Sequence, residues 1–517
     1  MNIAEVFDAR VREQPNAVAV IDGDTVHSYA ALDRAVRRIA ADLLARGAGP
    51  GAIVGLSTRQ SALHLAASLA IARIGAASAP LHPAQPAAPR AAVCDRLRVR
   101  LIAGDRPRRA LEGRDLLLLD PAVFEPQAAP VPEVPCAPGG ARPWRIALTS
   151  GTTGAPRGVA ASHESTLRAF WTQAGVPALA PPRRMLLLMD VSIAAGVRPA
   201  IRQLLSGMTV ILLPGTRPAD AFAAIDRCDP DWVQCSPATL QSLVQAAPGG
   251  GLRCPGVERF VVVGGAVSPA LRRRAVQTIA SGLFTRYGST ETGLLAAGSL
   301  AAADLPADCA GQLPPWVDAQ AVDEEGRPLP DGATGRLRFR SMEVAEGYFE
   351  DPQASAERFR DGWFMPGDVG RIGPDRTLYL EGRADDVLNI DGVKVNPLEV
   401  EAVLAECAGV LDAAAVAAAP PGGRGFLLAL VRAGEGFDEA AALALCRERL
   451  GRRAPARLLR VPGLPRNAMG KLMRREIAQR VQARLAEQSA QQSQQSQQSQ
   501  QASPASTAST ASRPSPT

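Results

Sequence analysis

The stretch Leu148-Thr149-Ser150-Gly151-Thr152-Thr153-Gly154-Ala155-Pro156-Arg157-Gly158-Val159 carries the plainest chemistry in the sequence. Thr149, Ser150, Thr152 and Thr153 bring four hydroxyls that can donate to oxygen anions, and Arg157 adds a permanent planar cation. Gly151 and Gly154 let the backbone turn and approach a ligand closely. Successive N–H groups in such a turn form a concave anion site. The pattern reads as a phosphate-binding loop; the plain alternative is a polar turn at the surface. It is not the G-x-x-x-x-G-K-[ST] loop, which occurs nowhere in the chain. An apolar run, Trp144 to Leu148, leads into it and reads as a buried strand.

A second signal is scarcity. Among 57 Lys and Arg residues only Lys394 and Lys471 are lysines. The Ala- and Arg-rich composition suggests a GC-rich genome, which disfavours lysine codons. A lysine kept against that drift marks a place where a compact point charge serves and a broad planar fork does not. Lys471 lies in Pro465-Arg466-Asn467-Ala468-Met469-Gly470-Lys471-Leu472, and Lys394 in Gly392-Val393-Lys394-Val395-Asn396-Pro397. A third candidate is Gly264-Gly265-Ala266, a tight turn after the apolar run Phe260 to Val263.

The loop at 149–157 closely resembles the phosphate loop of the acyl-adenylate-forming (AMP-binding) enzymes: acyl- and aryl-CoA synthetases, peptide-synthetase adenylation domains and luciferases. The family usually has Lys where this chain has Arg157. Thr285-Arg286-Tyr287-Gly288-Ser289-Thr290-Glu291-Thr292 matches a second signature of that family. The resemblance implies that Tyr287 stacks on adenine, with Gly288 and Ser289 in the same nucleotide-binding segment. Thr290 would touch phosphate and Glu291 would hold Mg2+. A hard cation of that kind needs a carboxylate oxygen and keeps phosphates and waters as its other ligands. By the same resemblance, Gly264, Gly265 and Ala266 meet the adenine edge, while Asp368 and Arg383 hold the ribose of ATP. Asp385 is a hinge, Gly392 lines a channel for a pantetheine thiol, and Lys471 bridges the acid and the α-phosphate. A cation placed between two anions offsets their repulsion as they react.

The implied activity is ATP-dependent acid–thiol ligation. An acyl-adenylate forms with loss of pyrophosphate, and a thiol then takes the acyl group as a thioester. An acyl- or aryl-CoA synthetase fits best. One alternative is a stand-alone adenylation enzyme that loads an acid or amino acid onto the phosphopantetheine of an acyl carrier protein in trans. Another is a degenerate nucleotide-binding module, which loss of Glu291, Asp368 or Lys471 would have favoured; all three are present. The acid pocket is expected near 189–196, 234–237 and 264–266. Asp190, with Gly265, is a candidate there, either pairing with an amino group or standing as a buried carboxylate capped by backbone.

The elements that must position these residues follow from periodicity. Tyr29 to Arg46 has helical spacing and stops at Gly47, Ile53 to Ser57 is strand-like, and Ala62 to Ile74 is a second apolar helix. Strands are expected at 185–189 and 209–213. From about 316 to 382 the pattern is β-rich, with closely spaced turns. The expectation is an α/β chain: a large layered N-terminal domain over 1–384 with a β-rich subdomain, then a small mobile α+β domain over 385–485. A Gln/Ser/Pro-rich tail over 486–517 is expected to be disordered.

The 517 residues, 46% hydrophobic, can bury a large core. No run is apolar enough to span a bilayer, no export leader is evident, and no two of the eight cysteines form C-x-x-C, which together point to a reducing cytoplasm. The net charge of +6 is spread along the chain and aromatics are only 4%, so no nucleic-acid stripe is expected. The four histidines have no metal-ligand spacing. The tail supplies no chemistry, so deleting residues 488–517 is expected to leave turnover unchanged in a steady-state assay; a large loss would reveal a docking role.

Overall fold

The computed structural model describes residues 1–501 apart from 60, 127–129, 150–156, 177–179, 303–304, 391–392, 422–423 and 467–471; at 385 and 492–501 it describes the backbone alone. Two compact units result. The first is built on Met1–Asp385, the second on Asp386–Pro465 and the chain from Leu472 onward.

The Tyr29–Ala45 helix starts where the Ser28 hydroxyl accepts the Ala31 N–H, which satisfies an otherwise orphaned donor. Its stripe of Leu32, Ala35, Val36, Ile39, Ala40 and Leu43 is buried at helical spacing. The Ala62–Arg73 helix is buried on every side, as an apolar run interrupted only by His64 and Ser68 before Arg73 requires. Its one terminal charge, Arg73, grips Asp8 through two hydrogen bonds of 2.8 and 3.0 Å.

The described residues of the first unit form two sheets. One has six strands, five of them parallel neighbours, and ends in the antiparallel pair Pro143–Thr149 and Arg157–Ser162. The other has fifteen strands. Its parallel half contains Arg184–Leu188, Thr209–Leu212, Trp232–Cys235, Arg259–Val263 and Leu283–Ser289. These strands read as continuous Val, Leu and Met because helices cover both faces. The other half, from Gly293 to Arg383, is antiparallel and corresponds to the β-rich stretch of the sequence.

The second unit holds the ribbon Leu388–Ile390 with Val393–Val395, and a three-stranded sheet of Val410–Ala418, Phe426–Ala433 and Arg457–Arg460. Helices Pro397–Glu406 and Glu439–Leu450 pack on that sheet through Val400, Leu404, Ala442 and Cys446. Of the tail expected to be disordered, residues 502–517 lie outside the described residues. The helix that begins at Arg474 continues to Gln501. Gln and Ala keep good helical propensity even where no apolar face asks for packing, and the helix carries them past the last buried residue, Val481.

Two buried histidines tie stability to pH. His64 is fully enclosed, its Nδ1 2.7 Å from Thr58 Oγ1. Burial, and then the neighbouring Arg145 charge, push its pKa down to about 3. His163 accepts the Ile3 N–H on Nδ1 at 3.2 Å, and burial pushes it down to about 4. Both stay neutral in the folded chain while the unfolded chain protonates them below about pH 6.5. Their contribution is therefore complete above that pH and erodes as the pH falls, by up to about 1.4 kcal/mol per pH unit for each histidine. The urea midpoint is expected to drop between pH 7.5 and 5, and His64→Asn to flatten the slope. A midpoint constant over that range would contradict the assignment.

Candidate nucleotide and acid site

Four parallel strands set the site. Leu187, Gln234, Val261 and Phe284 stand level on Arg184–Leu188, Trp232–Cys235, Arg259–Val263 and Leu283–Ser289. Three of the strands finish within a residue or two of that level while Leu283–Ser289 runs on, so Asp190, Ser236, Gly264 and Tyr287 come to one edge. The carboxyl ends of parallel strands are where layered α/β folds bind ligands.

Gly264 follows its strand at φ +93°, a backbone region that side chains avoid. Gly265 carries no such demand; a Cβ there would meet only the Pro237 ring at 3.4 Å. Ala266 completes the turn. Gly288 sits at a bulge after Tyr287, and a Cβ on it would stand 1.9 Å from the Gly293 carbonyl. This close approach folds 289–293 into a tight turn. Inside it the Ser289 N–H donates to Thr292 Oγ1 at 2.9 Å, and Arg198 donates to the Thr290 carbonyl at 2.8 Å.

The turn tucks Glu291 inward, so that only 8% of it is exposed. Tyr348 donates to Glu291 Oε1 at 3.3 Å, and the Ala345 N–H donates to the Glu291 carbonyl at 2.7 Å. The Arg157 guanidinium lies 5.1 Å from the centre of the Tyr348 ring, a cation–π arrangement, and reaches Glu357 at 3.3 Å. Thr149 pairs with Arg157 across the antiparallel strands, so both flank the glycine-rich segment. Ser150, Gly151, Thr152, Thr153 and Gly154 lie outside the described residues.

Tyr287 donates its hydroxyl to Asp368 Oδ2. Arg383 stands opposite Asp368 across two strands, donating to Oδ1 at 3.4 Å and to the Pro366 carbonyl at 3.0 Å. Burial first, and then the Asp368 charge, raise the Tyr287 phenol well above its usual range, so the proton stays on tyrosine. Tyr287, Asp368 and Arg383, 96 residues apart in sequence at the extremes, thus form one hydrogen-bonded chain.

Asp190 stands apart from that group. The Ser192 N–H donates to its Oδ1 at 2.7 Å, and His82 Nε2 lies 3.2 Å from Oδ2. Burial raises its pKa, but the hydrogen bonds from His82 and Ser192 outweigh that and hold it well below the usual carboxylate range. It is an ionised carboxylate held by a backbone N–H and by His82. Sequence reasoning gave no role to Tyr348, Arg198 or His82. Arg198 was visible, with Arg202, as a charge in the largely apolar helix Ala194–Leu205.

Asp385 lies in a short 3-10 turn, Ala384–Asp386, at the end of the first unit. Lys394 faces Asn389 across the small ribbon of the second unit. Gly392 and Lys471 lie outside the described residues. Among the described residues no group of three or more His, Cys, Asp or Glu side chains could cage a metal. The buried oxygens of Glu291 fit Mg2+ held by a single carboxylate and by phosphates, the usual mode for that ion.

This is the layered fold and site of a nucleotide-dependent ligase. The family model "AMP-binding enzyme" matches residues 7–349, and the chain belongs to that family. A protein of Geobacillus kaustophilus named 2-succinylbenzoate–CoA ligase is 31% identical over 64% of this chain and 68% of its own length. A protein of Salinispora arenicola named as a probable non-canonical nonribosomal peptide synthetase is 30% identical over 92% of this chain, which spans 6% of that protein. The ATP-bound crystal structure of MatB from Rhodopseudomonas palustris superposes with a TM-score of 0.82 at 24% identity, covering 93% of this chain and 99% of that one. The chain is an adenylate-forming acid ligase by family, with the fold of those enzymes.

Replacing Asp368 with Asn removes a charge shared by Tyr287 and Arg383. Losing one charge-assisted hydrogen bond of roughly 1.5–3 kcal/mol is expected to raise the KM for ATP on the order of 10- to 100-fold. An unchanged KM in a steady-state titration would separate this chain of residues from nucleotide binding.

Proposed function

We propose that the protein joins a carboxylic acid to a thiol at the expense of ATP. The acid carboxylate attacks the α-phosphate, forming the mixed anhydride and releasing pyrophosphate. The thiol then attacks the acyl carbon and AMP leaves. The observation that carries the reading is the chain Tyr287–Asp368–Arg383 beside the buried Glu291, because it joins a hydroxyl-accepting carboxylate to a magnesium-type carboxylate at one sheet edge.

Asp368 accepts the ribose hydroxyls, and Arg383 holds its carboxylate in place. Tyr287 presents its ring to adenine, and Gly264, Gly265 and Ala266 shape the neighbouring turn. Thr149, Ser150, Gly151, Thr152, Thr153, Gly154 and Arg157 receive the phosphates, with Ser289 and Thr290 alongside. Glu291 holds Mg2+, which when bound neutralises phosphate charge; Tyr348 and the turn at 289–293 fix the carboxylate that receives it. Lys471 stands between the two reacting anions. The second unit turns about Asp385 to bring Gly392 and the thiol forward for the second step.

Coenzyme A is the thiol that best suits the reading, supported by the likeness to a relative named as a CoA ligase along most of that protein. Loading of a carrier protein in trans is the second reading, supported by the likeness to a peptide-synthetase segment. The Arg447, Arg449, Arg452 and Arg457 cluster could meet the phosphates of either thiol.

The test is acid-dependent pyrophosphate release from Mg-ATP across aryl, aliphatic and amino acids, with Lys471→Ala as control. Release with one class of acid, lost in the variant, is expected. ATP binding without release for any acid would favour a nucleotide-binding module instead.

A further inference from the structure

The parallel strands carry two faces. Leu186, Leu188, Val233, Cys235, Phe260 and Val262 point to one side and pack into a dry core. By alternation, Met185, Trp232, Val261, Val263, Phe284 and Arg286 point to the other. The Ala194–Leu205 helix covers part of that face, where Gln234 donates to the Ala195 carbonyl at 2.8 Å. This is the side on which the strand ends at Met189, Gln234 and Gly264 were expected to receive the acid.

Arg286 is anomalous there. Its guanidinium carbon lies 4.9 Å from the centre of the Trp232 ring. Its Nη2 has neither solvent exposure nor a hydrogen-bond partner among the described residues. A cavity of about 20 Å³, room for one oxygen-sized group, is lined by Arg286, Trp232, Val261, Phe284 and a second cation, Arg259, whose guanidinium carbon lies 5.5 Å from the Trp232 ring centre. Arg198 and Arg202, one turn apart on the Ala194–Leu205 helix, add two more guanidinium groups; Arg198 donates to the Thr290 carbonyl and Arg202 to Gln173 Oε1. The carboxylates that face Arg198, Arg202 and Arg286 are Glu343 and Glu291. Glu343 is already engaged by the Gln173 amide at 2.9 Å and the Leu294 N–H at 3.2 Å. Glu291 is the metal-type carboxylate.

Burial, and then the Arg202 charge, push Arg286 well below the usual arginine range, and burial lowers Arg198 and Arg202 too. A buried N–H left without a partner is costly, and Nη2 of Arg286 is one that a ligand oxygen would complete.

We propose that the acid activated here carries a second, distal carboxylate, and that Arg286 receives it beside Trp232, with Arg202 as the supporting charge. This deepens the adenylating reading and rests on it: one carboxylate of the acid reacts and the other is held at the far end of the pocket. The cavity and the unpartnered Nη2 fit one oxygen of that carboxylate, held by a charge-assisted hydrogen bond. A monocarboxylic acid of the same length would lay a methyl group against an unpaired buried cation. Discrimination on the order of 100-fold or more is expected, since a site built for a polar group rejects an analogue lacking it.

The test uses the full chain and pairs of acids of equal length: succinate against butyrate, glutarate against valerate, adipate against hexanoate, and isophthalate against benzoate. Binding is read by titration calorimetry and turnover by pyrophosphate release. At least one diacid is expected to exceed its partner by about 100-fold in kcat/KM. In Arg286→Met that advantage should collapse through KM, and Arg286→Lys should recover part of it. Equal handling of diacids and monoacids by the native protein would overturn the proposal while leaving adenylation standing, whether or not the variants fold. Arg286-dependent diacid binding without pyrophosphate release would uphold the anion site and overturn the adenylating reading. No diacid binding at all would overturn the proposal.

Discussion

Parallel strands pair residue by residue, and that register is the constraint on which the site depends. Because Leu187, Gln234, Val261 and Phe284 are level, the first three strands run out of sheet at nearly the same height while the fourth continues to Ser289 against Gly293–Ser299. Backbone groups past the ends of the first three have no neighbour strand and are available to turns and ligands. A slip of one residue on any strand would exchange its faces, burying Arg286 among the leucines and aiming Thr285 at the pocket. The long apolar runs on both faces make such a slip expensive.

Onto this edge the antiparallel half of the sheet brings groups from far along the chain. Asp368 and Arg383 come from neighbouring strands well past Tyr287, yet all three share hydrogen bonds. Tyr348 plays a similar part for Glu291. The two halves of the large sheet therefore divide the labour. The parallel half sets position, and the antiparallel half supplies partners that hold the polar side chains in fixed rotamers.

Much of this was legible in the sequence. Apolar runs at 144–148 and 260–263 and the helix from Ala62 fall within a residue or two of the strands and helix observed. They are legible because burial on both faces writes an uninterrupted apolar stretch. The Arg157–Ser162 strand was not seen, since Arg-Gly-Val-Ala-Ala-Ser has neither alternation nor β-branched weight and is strand through its pairing with Pro143–Thr149. The site was legible only where a signature segment fell together in sequence, as at 287–291. Tyr348, His82 and Arg198 each lie in segments with no such pattern. Their roles depend on which side chain lies across from them, a property of the fold that no local spacing encodes. The helix from Arg474 to Gln501 had no signal in the sequence, because composition argues against a packed core there, whereas a helix needs no core when its residues favour it.

The placement of Arg383 has a mechanical consequence. Its guanidinium is fastened both to the Asp368 carboxylate and to the Pro366 carbonyl, two residues before the end of the first unit. A side chain fixed at two points on a neighbouring strand resists twisting of its own strand. Torsion applied to the chain at 384–386 is thus stopped at Arg383 and cannot propagate into the strands behind it. The link is stiff on the side of the first unit, like a shaft clamped at its bearing, and the carboxylate beside Tyr287 is held by the same contacts.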